Sequence, residues 1–247
     1  MVDQLYQALA FPERSFLGKR VYKRLFSEHA SLGVTDRKTF SEDIDTILWQ
    51  YMLKPSTVPI QPFIKDDREY LEVAVIEMTM KNPRRATRIT EIVHRTIPYP
   101  VILVLVSDAM ILVSLAQKRQ SRAERDAIVA EDFVDSQWID LSSTMDVEDQ
   151  FLDSVSFRKL PAVNFFVYYT GFRDRIVALN AARLSGRFVV DAIGTKKAHL
   201  EEYHALDREI TDLRAAIKKE SAFNRQVELN NRIKELERLR AQTVQQL

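Results

Sequence analysis

One apolar segment of this sequence carries the residues whose types and spacing come closest to a catalytic motif. The segment "LEVAVIEMTMK", Leu71 to Lys81, alternates its side chains as a β-strand does and contains Glu77 and Lys81. Restriction-type nucleases hold Mg²⁺ with two carboxylates and polarise the attacking water with a lysine. Because residues two apart share one face of a strand, Glu77, Thr79 and Lys81 point together. Threonine therefore stands where such a nuclease needs its lysine, and Lys81 lies one step further on.

The second carboxylate of a metal site has to come from outside this strand. Glu72 falls on the face opposite Glu77, whereas Asp67 lies in the turn "KDDR" that precedes the strand. The set Asp67, Glu77 and Lys81 therefore supports one hypothesis, a divergent metal-dependent nuclease. Since the motif is incomplete, we favour a protein that is not an enzyme, and we expect no catalytic residue, no metal and no cofactor.

The composition gives little support to other catalytic schemes. The sequence contains no cysteine, which excludes thiolate nucleophiles, thiolate metal ligands and disulfides. Its five glycines do not form a phosphate-binding loop, and its four histidines are scattered. The absence of cysteine fits a cytoplasmic protein, and the first residues lack the features of a signal peptide.

Basic residues collect after two of the predicted strands. Ligands of an open parallel sheet bind beyond the carboxyl ends of its strands, and helix N-terminal amides can help to hold phosphate there. The nucleic-acid-binding residues that this rule predicts are Lys81, Arg84, Arg85, Arg88, Lys118 and Arg119. A further cluster, "GKRVYKR", lies near the start of the chain. The alternative is that these cations form a solvated surface.

Acidic residues are concentrated in one part of the chain. Residues 126–157 contain nine acidic residues and no basic residue. We interpret this segment as a solvated loop region, with the shielding of a basic surface as the alternative. The net charge of +1 argues against a nucleic-acid coat that is basic all over.

The order of apolar patterns predicts an α/β fold of the α+β kind, a mixed sheet with a βαβ unit flanked by helices. The strand at residues 71–81, the helix "ATRITEIVHRTI" and the strand "VILVLVS" form that unit, so the two strands should be parallel neighbours. Residues 97–116 are long enough to span a bilayer, about 20 residues. However, Pro98, Pro100 and Asp108 favour two antiparallel strands joined at Asp108 and Ala109, so we expect no membrane segment.

Two earlier segments are predicted to be amphipathic helices. Their apolar residues recur at three and four residues, which is typical of one helical face. The segments are "SFLGKRVYKRLFSEHA", with Phe16, Val21, Leu25 and Phe26 towards a core, and "TFSEDIDTILWQYML", with Ile44, Ile47, Leu48 and Tyr51 along one side. A third helix is predicted later, over "NFFVYYTGFRDRIVALNAARL".

The last part of the chain differs in character from the rest. We predict an α/β core domain over residues 1–194 and a helical arm over residues 195–247, where charged residues alternate with sparse aliphatic ones. The aliphatic spacing favours an antiparallel helical hairpin, and a single long helix that forms a homodimer is the alternative. The predicted partner-binding residues of this coiled-coil seam are Leu206, Ile210, Leu213, Ile217, Ile233 and Leu236.

Several segments taken in order resemble an uncharacterised bacterial family, domain of unknown function 4391. They are "FPERSFLGKRVYKRLF", "ILWQYMLKPSTVPI", "LEVAVIEMTMK", "EIVHRTIPYPVILVLV" and "KKESAFNRQVELNNRIKELERL", and the resemblance runs from about Phe11 to the end. Genes of this family often stand beside helicase and DNA methyltransferase genes in restriction-like defence cassettes. The family has no established catalytic residues, so the resemblance assigns none here.

The resemblance implies protein partners, namely a helicase and a DNA methyltransferase. Together with the residues, it leads us to expect a non-catalytic accessory or adaptor subunit of a phage-defence or DNA-processing complex. In that complex, nucleic acid would contact the basic strand ends. The metal-dependent nuclease and the self-assembling homodimer stay as alternatives.

Overall fold

The computed structural model describes residues 2–24, 33–122 and 127–247, and the chain divides into two compact units, Met1–Ile176 and Val177–Leu247. The first unit is built around a mixed sheet. Its strands are β1 (Phe16–Arg20), β2 (Ile44–Leu53), β5 (Val73–Met80), β6 (Val101–Ser107), β7 (Met110–Gln120), β8 (Ile128–Asp135) and β9 (Ile139–Asp140). They are ordered β1-β2-β5-β6-β7-β8, with β9 paired to β7. A separate hairpin consists of β3 (Phe63–Lys65) and β4 (Arg68–Tyr70).

Helices complete both units. The first unit contains α1 (Val2–Leu9), α2 (Val34–Asp43), α3 (Ala86–Thr96) and α4 (Asp146–Ser154). Helix α5 (Phe165–Ser185) crosses the boundary, and α6 (Ile193–Ile217) and α7 (Phe223–Gln245) belong to the second unit. The predicted domain boundary at residue 194 falls at the start of α6. In the part of the chain that the structure describes, no helix combines the length and the apolar character that crossing a bilayer requires.

The predicted βαβ unit is confirmed. Strands β5 and β6 pair in parallel, from Ala74 opposite Val101 to Thr79 opposite Val106, and α3 connects them. The apolar side of α3 is buried against one face of the sheet, where Ile89 joins the same core as residues of both strands. Burying one such side chain contributes about 1.5–3 kcal/mol, so this layer is a main source of stability. The fold class predicted from the sequence, a mixed α/β arrangement, is therefore the observed one.

The predicted strand pair over residues 97–116 is also confirmed. Strands β6 and β7 are antiparallel, with Ser107 opposite Met110. Asp108 in the two-residue turn adopts a positive φ of 53°, which aspartate tolerates better than most residues. The charged residue in the middle of the apolar run is thus the turn.

The two segments around Phe16 and Ile44 are strands where the apolar spacing predicts helices. The register between β2 and β5 shifts once between Ile44 and Ile47, and again between Trp49 and Tyr51. A β-bulge adds one residue, so buried side chains recur at three residues instead of two, as they would on a helix. Helix α2 ends at Asp43, where β2 begins. The predicted core residues at positions 25 and 26 lie outside the described residues.

The acidic segment is also more regular than predicted. Its described part, residues 127–157, forms β8, β9 and α4. Val134 and Phe151 are buried, and such apolar residues between the acids anchor the segment to the sheet. The acidic side chains project between them, and several meet arginines of neighbouring elements.

The second unit contains the predicted antiparallel hairpin. Ion pairs join α6 to α7, with Arg214 at 2.6 Å from Glu237 and Glu209 at 3.1 Å from Arg232. Asp207 precedes Glu209 on α6, whereas its partner Arg240 follows Arg232 on α7, which is the order of an antiparallel pair. The polar stretch at residues 218–222 forms the connection.

Candidate functional site

The carboxylate of Glu77 is a buried hydrogen-bond acceptor. Only 6% of Glu77 is exposed, and its Oε2 accepts from the Tyr6 hydroxyl at 2.7 Å and from Gln50 Nε2 at 2.9 Å. Burial first, and then the charge of Glu77, raise the pKa of Tyr6 well above its ordinary value. The hydroxyl therefore keeps its proton and remains a donor. No sequence pattern indicates that Tyr6 and Gln50 meet Glu77, because these two residues come from separate elements, α1 and β2.

Asp67, Glu77 and Lys81 do not form one site. Strand β7 runs antiparallel to β6 and therefore to β5, so the carboxyl ends of β5 and β7 lie at opposite ends of the sheet. Lys81 directly follows β5, whereas the Asp67 carbonyl accepts from the backbone N–H of Gln120 at the end of β7, at 2.6 Å. The hypothesis of a metal-dependent nuclease thus lacks its paired carboxylates. Within the described residues, no cluster of three or more His, Cys, Asp or Glu is placed to hold a metal ion.

Most cations that follow β5 have acidic or hydroxyl neighbours. The pairs are Lys81 with Asp45 at 3.5 Å, Arg85 with Thr39 at 2.6 Å and Asp43 at 3.8 Å, and Arg88 with Asp36 at 2.6 Å and with Glu91. The side chain of Arg84 is exposed, while its backbone N–H donates to the Asn82 side chain at 3.1 Å and so begins the turn into α3. The first turn of α3 contains no acidic residue. The positive end of its dipole is therefore not offset there by a carboxylate of its own.

Cations from the "GKRVYKR" segment approach the same end of β5. The ammonium of Lys23 donates to the Ser41 carbonyl at 3.1 Å and to the Ile44 carbonyl. Burial first, and then the charge of Lys81 and a smaller effect of Arg20, lower the pKa of Lys23, while Asp45 raises it. These cations are thus close enough to repel one another. We call Arg20, Lys23, Lys81, Arg84 and Arg85 the β5-end surface.

Lys118 lies in the interior and not on a surface. It is 2% exposed, and its ammonium donates to the Ile97 carbonyl at 2.7 Å and to the His94 carbonyl. These carbonyls belong to the C-terminal end of α3, where the helix dipole favours a cation. Burial lowers the pKa of Lys118 to about 7. The prediction that Lys118 contacts nucleic acid is therefore wrong for this conformation, because β7 continues past it and turns its side chain towards α3.

Arg119 lies at the opposite end of the sheet from Lys81. Its Nε donates to one oxygen of Glu131 at 2.7 Å, and Arg68 donates to the other oxygen at 2.8 Å. Burial raises the pKa of Glu131, but these two hydrogen bonds lower it further and hold it below its ordinary value. The guanidinium of Arg68 also lies 5.7 Å from the ring centre of Phe166. The six predicted nucleic-acid-binding residues are thus divided between two ends of the sheet and the core.

A serine, a histidine and an aspartate meet beneath α3, in an arrangement that sequence reasoning missed. Nε2 of His94 lies 3.0 Å from Oγ of Ser114, and Asp135 contacts Ser114 and the Thr90 hydroxyl. Burial first, and then the charge of Lys118, lower the pKa of His94 to about 3, so its imidazole is neutral. A hydrolytic triad needs the aspartate on the histidine and an accessible serine. Here the aspartate contacts the serine, and Ser114 is fully buried, so the cluster is structural.

The residues predicted to bind a partner helix form the core of the hairpin itself. Three of them are buried, Ile210 at 0%, Leu236 at 1% and Ile233 at 7% exposure. The partly buried residues packed against these three are Leu206, Leu213 and Ile217. The spacing identified an apolar seam correctly, but α6 and α7 use that seam for each other. A partner of this unit therefore has to bind the surface that the two packed helices leave exposed.

A family model described as "Domain of unknown function (DUF4391)" matches residues 9–239 of the chain. No curated protein and no solved structure matched the chain. The matched residues include the whole sheet, the β5-end surface and most of the hairpin. The chain therefore belongs to the family of domain of unknown function 4391.

Proposed function

We propose that this chain is a non-catalytic accessory or adaptor subunit of a phage-defence or DNA-processing complex in the cytoplasm, and that it contacts nucleic acid through the β5-end surface. The observation that carries the proposal is the collection of cations at this end of β5, where the exposed Arg84 and Arg85 precede α3. Burial first, and then the charges of Lys81 and Arg20, lower the pKa of Lys23, and Asp45 offsets those charges only in part. A phosphate group bound there would relieve this repulsion.

The start of α3 supports an anionic ligand at the same place. Arg84 and Arg85 precede the helix, and no acidic residue of its first turn offsets the dipole. Backbone N–H groups at a helix N-terminus and nearby cations are a common way to bind phosphate. The genomic neighbours that the family resemblance implies, a helicase and a DNA methyltransferase, act on nucleic acid and supply the candidate protein partners.

The test is the salt dependence of binding to labelled duplex and single-stranded DNA. We expect Arg84→Ala with Arg85→Ala to weaken binding and to reduce the slope of log K against log salt by about 2, since each phosphate contact contributes about 0.9. The matched control is Arg119→Ala with Arg122→Ala, which removes the same charge at the opposite end of the sheet. Binding that ignores salt, or that falls equally in both variants, would contradict the proposal.

Subunit membership has its own measurement. The tagged protein is purified from its host at high salt, and the proteins that co-purify are identified by mass spectrometry. We expect a helicase or a methyltransferase in near-equal amount. Recovery of a homodimer alone would instead favour the self-assembling alternative.

A further inference from the structure

One side of the helical hairpin carries a groove. Its first part, of about 450 Å³, is lined by Arg214, Ile217, Lys218, Asn230, Ile233, Lys234 and Glu237. The second part, of about 420 Å³, is lined by Tyr203, Glu237, Arg240, Ala241, Val244 and Gln245. Because Glu237 lines both parts, they are neighbours along the same side of α7. We call the two parts together the hairpin groove.

Exposed apolar side chains extend this groove towards the turn of the hairpin. Phe223 is 75% exposed and Val227 is 42% exposed. Five residues of α7 are separated in turn by four, three, four and three positions. They are Phe223, Val227, Asn230, Lys234 and Glu237. This spacing places them on one stripe of the helix, and it is the spacing against which a further helix packs.

The cations of the groove differ in how they are satisfied. Arg214 pairs with Glu237 at 2.6 Å, and Arg240 pairs with Asp207. Over the described ranges, no ion pair is formed by Lys218 or Lys234. Both ammonium groups border the apolar floor made by Ile217 and Ile233. The groove thus presents an apolar strip flanked by two available positive charges.

We propose that the hairpin groove binds an acidic amphipathic helix of a protein partner as the third helix of a bundle. The apolar side of that helix would cover Phe223, Val227 and Ile217, and its carboxylates would reach Lys218 and Lys234. Helix α7 has 23 residues. At a rise of about 1.5 Å per residue, it offers about 34 Å of contact to a partner helix.

A protein helix suits the groove better than a nucleic acid does. The charges are interrupted by apolar side chains at helical spacing, whereas a phosphate backbone favours a continuous path of cations. Glu237 also stands in the middle of the groove and would repel phosphates. The inference goes beyond the proposed function, because it concerns another class of ligand and the other unit of the chain.

The test uses the full-length protein and a fluorescent synthetic helix of about 21 residues, with leucine at the a and d positions and glutamate at the e and g positions. We expect saturable one-to-one binding by fluorescence anisotropy. Lys218→Glu with Lys234→Glu should weaken it about tenfold, because two attractions become repulsions. The matched control, Arg208→Glu with Arg238→Glu, makes the same charge change at exposed positions outside the groove lining and should bind the probe like the parent protein.

A third variant, Val227→Asp, tests the apolar half of the groove and should also weaken binding. Because Val227 is exposed, all variants should keep their helical circular dichroism. The proposal is overturned by absence of binding, by equal loss in the lysine variant and the arginine control, or by equal binding of a probe with lysine in place of glutamate. Displacement of the probe by DNA through Lys218 and Lys234 would assign the groove to nucleic acid instead. Each of these outcomes is independent of whether Arg84 and Arg85 bind DNA.

Discussion

Lys118 shows how a charged side chain can be accommodated inside the sheet. Its stem crosses the apolar layer beneath α3, and its ammonium reaches the carbonyls that end that helix. Those carbonyls have no partner within the helix, so the lysine satisfies acceptors that would otherwise be buried and unpaired. Burial still opposes the charge and lowers the pKa of Lys118 to about 7.

This shift predicts a dependence of stability on pH. An unfolded lysine binds its proton up to its ordinary pKa of 10.5, whereas the folded one releases it above about 7. The unfolded state therefore binds more protons between these values, and the free energy of unfolding should rise with pH across that window. The two carbonyl acceptors favour the charged form and reduce the size of the rise. We expect urea denaturation at several pH values to show the rise in the parent protein.

The comparison is Lys118→Met, which keeps the apolar stem and removes the titrating group. Its free energy of unfolding should be lower than that of the parent protein by about 1–3 kcal/mol, because the carbonyls at the end of α3 lose their donor. Between pH 7 and 10 the free energy of unfolding of this variant should rise less than that of the parent protein. Parallel pH profiles of the two proteins would show that Lys118 does not titrate in this range.

Glu77 is predicted to contribute to stability and not to catalysis. Glu77→Ala leaves the Tyr6 hydroxyl and the Gln50 amide without their acceptor, so we expect the free energy of unfolding to fall by about 2–3 kcal/mol. The control is Glu69→Ala, an exposed residue, which should change it by about 0.5 kcal/mol or less. Chemical denaturation measures both. Equal stability of the two variants would show that the buried hydrogen bonds contribute little.

At the scale of elements, the sequence predicts best where each pattern allows one structure. The run over β6 is apolar without interruption, the turn at Asp108 is polar, and α3 carries its apolar residues at helical spacing. The order β5-α3-β6-β7 could therefore be predicted together with its parallel and antiparallel pairings. Strand β2 could not, because its bulges at Ile47 and Trp49 give a strand the apolar spacing of a helix.

The site residues were harder to predict than the elements. Arg84 and Arg85 are exposed as expected, since they follow directly on the end of a strand. Lys118 was misplaced because a lysine after an apolar run usually marks the end of a strand, and only the contact with α3 shows that β7 continues. The hairpin seam was located, but spacing alone does not tell whether a seam meets its own chain or a partner.

The hairpin core allows a matched prediction. Leu236 is 1% exposed and Leu239, one turn further on, is 37% exposed. We expect Leu236→Ala to lower the free energy of unfolding of the hairpin by about 2–4 kcal/mol, because it leaves a cavity beside Ile210 and Ile233. Leu239→Ala should cost about 1 kcal/mol or less, since little area is lost. Urea denaturation followed by the helical circular dichroism signal distinguishes the two, and equal costs would contradict the packing.

At the scale of the whole molecule, a net charge of +1 conceals a separation of charges along the chain. The described part of the acidic segment, residues 127–157, folds as β8, β9 and α4, and it meets basic residues of other elements. Glu131 binds Arg68 and Arg119, and Asp132 binds Arg173. The segment thus neutralises one end of the sheet, while the β5-end surface keeps an excess of positive charge.

Glu131 keeps Arg68 and Arg119 paired in the parent protein, so releasing them should add a second basic surface at the end of the sheet opposite the β5-end surface. We expect Glu131→Gln to raise the affinity for duplex DNA several-fold at low salt. The slope of log K against log salt should become steeper by about 1. Asp146→Asn removes the same charge from an exposed position of the acidic segment and serves as the control, because Asp146 forms no ion pair within the described residues. An equal rise in both variants would mean that overall charge, and not the two arginines, controls affinity.

The polar contacts between β2 and β5 have a consequence for how the sheet assembles. Glu77 accepts a hydrogen bond from Gln50, and the Thr79 hydroxyl lies 2.9 Å from the Thr46 hydroxyl. Both contacts lie on the face of the sheet opposite the apolar core beneath α3. A shift of β5 by one residue would turn both side chains into that apolar core, where neither has a partner. Misaligned sheets are therefore penalised even though β2 carries two bulges. A few polar atoms thus allow an irregular strand to find a single alignment.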